Sequence, residues 1–451
     1  MITIDRTRLR SLMQREQQRF IDEHPKSKAL FERAGKSLLA GVPMNWMRKW
    51  AGAFPPFVSE AQGAHVYDVD GRRYVDLCLG DTGAMTGHSP LATIKAVEEQ
   101  AHRGMTMMLP SEDAILVAEE LQKRFRQPYW QFALTATDAN RFCIRLARHI
   151  TGRSKVLVFN WCYHGTVDET FITLQPDGTA GSRRGNIGPP IDPVVTTKVV
   201  EFNDRSALEQ ALTTGDVACV LAEPVMTNVG IVHPQPGFHE QMRKLTRQFG
   251  TLLILDETHT ICTGPGGYTR AENLEPDMLV FGKPIGAGVP GAAYGFTAEV
   301  ARAIAARDHL EDCDVGGIGG TLAGNALSLA AMRATLGSVL TSKAFERMIP
   351  MAERWRNGVQ KTIDDFHLPW SVTRLGCRAE YLFSARPPKN GAEAHSAMDF
   401  ELERFLHLYC INHGILLTPF HNMALMSPAT EEEDIDHHSH VFREAVKELI
   451  S

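Results

Sequence analysis

Leu252-Leu253-Ile254-Leu255-Asp256-Glu257 and Met278-Leu279-Val280-Phe281-Gly282-Lys283 decide the fold. Each begins as a short apolar run of strand length and ends in ionisable residues. Continuous apolar runs of this length suit strands buried on both faces of a parallel sheet. Open α/β sheets bind ligands just beyond the carboxyl ends of their strands, which is where Asp256 and Lys283 fall. The interval between them fits one strand, one loop and the next strand. A plainer reading stands beside this one: Asp256 caps a following helix, and Lys283 is a surface lysine ahead of a turn.

Working outward, the same alternation recurs. Helical stretches around 91 to 104 and 112 to 125 precede Thr135-Ala136-Thr137-Asp138 and a helix to about Ile150. Lys155-Val156-Leu157-Val158-Phe159, a glycine-rich loop over 177 to 189, Val217-Ala218-Cys219-Val220-Leu221-Ala222 and a helix near 237 to 249 follow. Strand and helix in alternation predict a doubly wound, mainly parallel α/β sheet. After Asn325 a long helix to about Leu340 leads into a part with weaker alternation. There Arg378 to Ser384 and Ile415 to Thr418 read as strands, and Asp434 to Ile450 as a last helix. Upstream, residues 7 to 40 read as helix broken near His24-Pro25, and the aromatic, proline-rich stretch Met44 to Phe57 is too apolar for a linker. Asp70-Gly71 between His65-Val66-Tyr67 and Arg73-Tyr74-Val75 is a hairpin signal.

The composition bounds what such a chain does. At 451 residues it is long for one domain, and two are expected: a large one over 76–335 and a smaller one from 1–75 and 336–451. A net charge of −6, from 47 Lys+Arg against 53 Asp+Glu, carries no nucleic-acid signature. No stretch approaches a membrane span, and the charged segment Met1 to Leu39 lacks the apolar region of a signal peptide. The eight cysteines are scattered without C-x-x-C pairs. They are expected to be reduced and buried in a cytoplasmic protein, with neither disulfides nor a metal site.

Several motifs carry chemistry. A carboxylate and an amine delivered to one crevice suit pyridoxal phosphate, whose aldehyde forms a Schiff base with lysine and whose ring nitrogen pairs with an acid. Thr135-Ala136-Thr137-Asp138 opens a helix with Phe142, Leu146 and Ile150 at helical spacing. Its free N–H groups favour an anion, Thr137 can add a hydroxyl, and Asp138 must turn away, toward backbone donors. An ordinary threonine N-cap gives the same pattern. Tyr163, in Trp161-Cys162-Tyr163-His164-Gly165 after a strand end, can lie on a cofactor ring or pack in a core. Asn228, after Glu223-Pro224, can donate to the phenolic oxygen or simply shape its loop. Gly316 to Gly320 suggest an anion-binding loop, a weak signal alone.

With these pieces in order, the chain resembles the class III, fold type I pyridoxal-phosphate-dependent aminotransferases. It is most similar to the branch of glutamate-1-semialdehyde aminomutase and the β-amino-acid aminotransferases. The resemblance runs from about Gly41 to the end. It is carried by Tyr67-Asp68-Val69-Asp70-Gly71 through Gly87-His88, Tyr163-His164-Gly165, Glu223-Pro224, Asp256-Glu257, Gly282-Lys283, and Gly320-Thr321 with Gly324-Asn325. It implies a large, mainly parallel domain and a smaller α+β domain built from both termini. It further implies that Lys283 forms the Schiff base and moves the proton, while Asp256 holds the pyridinium. Tyr163 would stack on the ring, Ala136 and Thr137 bind phosphate, and Asn228 lie near the phenolic oxygen. Thr321 would reach the phosphate of a neighbouring subunit, so a homodimer with shared active sites follows.

The chain also departs from the family pattern. The usual phosphate motif Ser-Gly-Thr-Glu-Ala is here Thr135-Ala136-Thr137-Asp138-Ala139. The valine two places after the aspartate is Thr258, followed by His259; these either tune proton transfers or are buried polar groups with ordinary partners. No arginine for a substrate carboxylate is evident. Arg48, beside Trp46, and the Thr418-to-Met423 stretch with His421 are the candidates for substrate contact. Trp46, Trp50, Phe420 and Met423 would line an apolar pocket. The expected activity is an aminotransferase moving an amino group, through a Lys283 Schiff base, between an oxo acid and an amine or amino acid with an apolar or aromatic part, a β-amino or aromatic one among the candidates. The alternatives are an aminomutase, a carbon–heteroatom lyase on the same scaffold, or a cofactor-binding protein without turnover.

Overall fold

The computed structural model describes residues 4–188 and 191–450; Met1, the end of the glycine-rich stretch at Pro189, and Ser451 lie outside the described residues. The chain divides into two compact units, one comprising 91–342 and 388–396, the other 1–90, 343–387 and 397–451.

The first unit is built on a seven-stranded sheet. In spatial order its strands are Tyr129–Ala133, Ala292–Phe296, Met278–Phe281, Leu252–Asp256, Val217–Ala222, Lys155–Phe159 and Thr197–Val200. The last five are parallel neighbours. Ala292–Phe296 runs antiparallel to both its neighbours and reverses the chain beside the strand that precedes Lys283. All residues of Val217–Ala222 and Met278–Phe281 are buried, as continuous apolar runs in a sheet covered on both faces must be. Helix Ala136–Thr151 packs on this sheet through Phe142, Cys143, Leu146 and Ala147, its apolar stripe.

Three of the seven strands, Tyr129–Ala133, Thr197–Val200 and Ala292–Phe296, go unread in the sequence. Ala292-Ala293-Tyr294-Gly295-Phe296 is rich in small residues and has low strand propensity. The structure shows why it is small: a Cβ on Gly295 would stand 2.7 Å from the Trp130 ring. Within the glycine-rich stretch, where a loop was expected, Ala180–Ser182 forms a short strand paired with Ile172–Leu174 just upstream.

The second unit holds a four-stranded and a three-stranded sheet. Its amino-terminal helices are Arg6–Glu23 and Pro25–Ala34, broken at His24-Pro25 as proline at a first helical position dictates. The helical stretch ends at Ala34, short of the expected 40. The Asp70-Gly71 hairpin is present: Asp68 Oδ1 accepts from the amides of Asp70 and Arg72, and Gly71 takes φ +88°. From the aromatic stretch, Phe54 packs 5.1 Å from Phe20. All eight cysteines are free thiols, and Cys313 alone is exposed. Among the described residues, no helix is long and apolar enough to cross a membrane.

Candidate active site

Asp256 and Lys283 end adjacent parallel strands. Asp256 lies opposite Val280, and the Glu257 amide donates to the Val280 carbonyl at 2.7 Å, which carries the pairing to the strand end. Asp256 is buried, and its two oxygens are divided among partners. Oδ2 accepts from Asn140 Nδ2 at 2.8 Å and lies 2.9 Å from His164 Nδ1. Oδ1 accepts from the Thr258 hydroxyl at 2.6 Å and the Thr258 amide at 3.1 Å.

Electrostatics fix the charges of this pair. Burial, the largest single influence, disfavours the imidazolium of His164, but the hydrogen bonds and charges of Asp256 and Cys162 together outweigh it and push the ring up to about 10. Burial likewise opposes ionisation of Asp256, yet His164, Thr258 and Asn140 hold its carboxyl below the ordinary value. A buried ion pair with every carboxylate oxygen engaged is the result. Glu257, one residue on, is spent differently: it takes the hydroxyl of Thr260 and the amides of Tyr268 and Thr269, and so anchors the following turn. Glu223 ends its own strand buried, with the Thr227 hydroxyl on Oε2; burial pushes its carboxyl up to about 7, the charge of His164 opposing.

Helix Ala136–Thr151 supplies the opposite wall. Its N-cap Thr135 accepts from the Asp138 amide and donates to Asp138 Oδ2 at 2.8 Å. Asp138 therefore turns to the Thr135 hydroxyl and not to the backbone donors expected of it. Gly165 lies so near that a Cβ there would be 1.9 Å from Thr137 Oγ1, and the Thr166 amide donates to that oxygen at 3.1 Å. A Cβ on Gly282 would stand 3.2 Å from the Ala136 nitrogen. One helix thus meets the Tyr163-His164-Gly165 triplet, Asp256 and the residue before Lys283.

Lys283 is half-buried, opens the short turn Lys283–Gly286 with φ +50°, and places Nζ 2.9 Å from His259 Nε2. Tyr163 is half-buried and meets Phe171 edge-on, centroids 6.4 Å apart. Asn228 uses its amide on the Trp161 carbonyl at 2.9 Å, which orients that side chain. Thr321 stands exposed in the turn before helix Ala326–Ala334. The glycine run ahead of it is tied down by Arg145, which donates to the Gly317 carbonyl.

The candidate substrate contacts belong to the other unit. Trp46 packs edge-on against Phe420, centroids 4.9 Å apart, and Lys49, not Arg48, lies over that phenylalanine at 5.0 Å. Arg48 is exposed. His421 is buried against Glu380 at 3.1 Å, with the buried Arg378 3.5 Å from the same carboxylate. Met423 is fully buried in its sheet. Sequence reasoning gave no role to Asn140 and His164; the one available signal was Asn140, a polar residue in the apolar stripe with Cys143 and Ala147.

These residues fit pyridoxal phosphate. Gly165 and Gly282 keep Cβ atoms away from the helix N-terminus, whose free N–H groups suit a phosphate. A carboxylate held ionised in a buried site suits a ring N–H, and an amine stands at the neighbouring strand end.

Comparison with known proteins agrees. The Aminotransferase class-III family profile matches residues 46–445. Glutamate-1-semialdehyde 2,1-aminomutase of Sorangium cellulosum (strain So ce56) is 33% identical over 433 residues, 94% of this chain and 97% of that protein. The crystal structure of a glutamate-1-semialdehyde-aminomutase from Pseudomonas aeruginosa PAO1 superposes with a TM-score of 0.97 at 48% identity, covering 99% of this chain and 100% of the other. A lysine-to-alanine form of such an enzyme from the same organism, in complex with PMP, superposes equally well. An omega-transaminase from Sphaerobacter thermophilus gives 0.86 at 26% identity, covering 94% of this chain and 98% of its own. The chain belongs to the class-III aminotransferase family of fold type I enzymes, and pyridoxal phosphate is its cofactor.

Proposed function

We propose that this protein is an aminomutase, exchanging the amino and carbonyl positions within one small amino carbonyl compound of the glutamate-1-semialdehyde type. The observation that carries this reading over the aminotransferase expected from the sequence is the near-complete structural match, at 48% identity, to a protein bearing that name. The aromatic pair Trp46–Phe420 favours the second reading, an aminotransferase for a donor with an apolar part.

The bound cofactor would supply an electron sink for bond breaking beside the substrate nitrogen. Asp256, ionised and braced by His164, would hold the ring-nitrogen proton. Lys283 would carry the covalent attachment, then take a proton from one substrate carbon and return one to another. Ala136 and Thr137 would hold the phosphate, Tyr163 would cover the ring, and Asn228 would sit by the phenolic oxygen. Thr321 would complete the phosphate site of a neighbouring subunit. A homodimer is supported by the exposed apolar residues Met105, Met107, Met108, Leu109 and Ile115, which a partner surface would cover. The free, mostly buried thiols suit the cytoplasm.

The test is incubation of the holoenzyme with glutamate-1-semialdehyde and no added oxo acid. An aminomutase converts it to the isomer with amino and oxo groups exchanged. No conversion, with turnover only when an amine donor and an oxo acid are supplied together, would establish the aminotransferase reading instead.

A further inference from the structure

The segment after Asp256 sends successive side chains to different tasks. Thr258 binds the Asp256 carboxylate, Thr260 binds Glu257, and the half-buried His259 between them places Nε2 2.9 Å from Lys283 Nζ. Toward a lysine ammonium, which has only hydrogens to offer, Nε2 presents a lone pair and the ring carries its hydrogen on Nδ1; toward a neutral amine the same contact can run the other way. In water a lysine amine outcompetes an imidazole for a proton, and an ammonium is no nucleophile. Lys283 must lose a proton before Nζ can bond to carbon, and His259 is a base within hydrogen-bond reach of that proton.

We propose that His259 is the proton-relay partner of Lys283, taking the hydrogens that leave Nζ as the lysine joins the cofactor aldehyde and delivering them to the departing oxygen. The step balances. Lys283 begins as an ammonium with three hydrogens, and the Nζ–carbon bond forms as the carbon–oxygen bond breaks. Two hydrogens leave Nζ by way of the imidazole, both end on the oxygen as water, and His259 finishes neutral as it began. The positive charge stays on the nitrogen now bonded to carbon.

The proposal rests on Lys283 being the residue that joins the cofactor, and the experiment separates the two. Apoprotein is resolved from purified holoenzyme, mixed with pyridoxal phosphate, and quenched with borohydride at intervals. The rate of covalent trapping is followed by absorbance, and the labelled lysine is found by peptide mapping. His259→Gln, which keeps hydrogen-bonding groups and bulk but cannot ferry a proton, is expected to slow trapping about a hundredfold. His259→Gly is expected to be slow as well and to recover when free imidazole is added, which a packing defect would not do. Trapping at Lys283 with an unchanged rate in His259→Gln overturns the proposal, as does a slow His259→Gly that imidazole leaves slow. Trapping at a different lysine overturns the Lys283 assignment, and the relay falls with it.

Discussion

Asn140 donates from Nδ2 to Asp256 Oδ2 at 2.8 Å and to the His164 carbonyl at 3.3 Å, so one amide ties a helix to both members of the buried ion pair. It reaches them because it lies one turn beyond Thr137, on the helix face turned to the sheet. Asn140→Ala removes one donor from a desolvated carboxylate, and apoprotein stability should fall by about 1–3 kcal/mol. Asn140→Asp should cost more, since it sets a second acidic group against the first. Denaturant midpoints of the two variants check this ordering; an Asn140→Asp protein as stable as Asn140→Ala contradicts it.

The His164–Asp256 pair makes stability depend on pH at both ends. His164 titrates higher folded than at its ordinary 6.5, so its contribution is whole below 6.5 and is lost as pH rises through about 10. Asp256 titrates lower folded than its ordinary 3.8, so its contribution is whole above that value and is lost as pH falls. Glu223, raised to about 7, favours the fold below its ordinary 4.5 and loses that contribution as pH rises through 7. Apoprotein melting points should therefore decline from pH 6.5 to 10, and His164→Gln should flatten the decline while lowering stability overall by about 3 kcal/mol or more. An identical slope in His164→Gln would rule out this assignment.

Gly165 combines φ +76° with the close approach to Thr137. Gly165→Ala forces its methyl into the first turn of helix Ala136–Thr151 and strains the backbone besides, for about 1–3 kcal/mol. The prediction is a lower melting point together with at least tenfold weaker cofactor retention, about 1.4 kcal/mol at the site. Calorimetry and dialysis against buffer read the two separately. Normal retention would show that the helix start does not hold the phosphate.

Met108 is 76% exposed beside other apolar residues, although its neighbours are equally unsuited to water. If this surface joins two copies, Met108→Glu should shift the protein toward monomer in sedimentation velocity, and Thr321→Ala should weaken cofactor retention while leaving a dimer intact. A monomeric parent protein would end both expectations.

The sequence is most readable where one physical demand dominates. Leu252–Asp256 and Met278–Phe281 are buried on both faces and read as unbroken apolar runs, so the sheet and its two chemical termini stand out. Ala292–Phe296 escapes because its residues answer to Trp130 across the sheet, a pairing no local window contains. The site divides in the same way. Asp256 and Lys283 declare themselves at strand ends, whereas Asn140 and His164 matter only through a carboxylate 116 and 92 positions away. Lys49 and not Arg48 lies over Phe420, a distinction that two adjacent basic residues do not reveal in a sequence.

Lys283 takes φ +50°, a conformation in which a β-carbon crowds its own backbone and which glycine occupies without that crowding. The residue proposed to join the cofactor is thus one the polypeptide holds against its own steric preference. Lys283→Gly should relieve the crowding even as it abolishes covalent trapping. Selection for heat resistance alone would drift toward discarding this lysine, so only a demand for turnover keeps it in place.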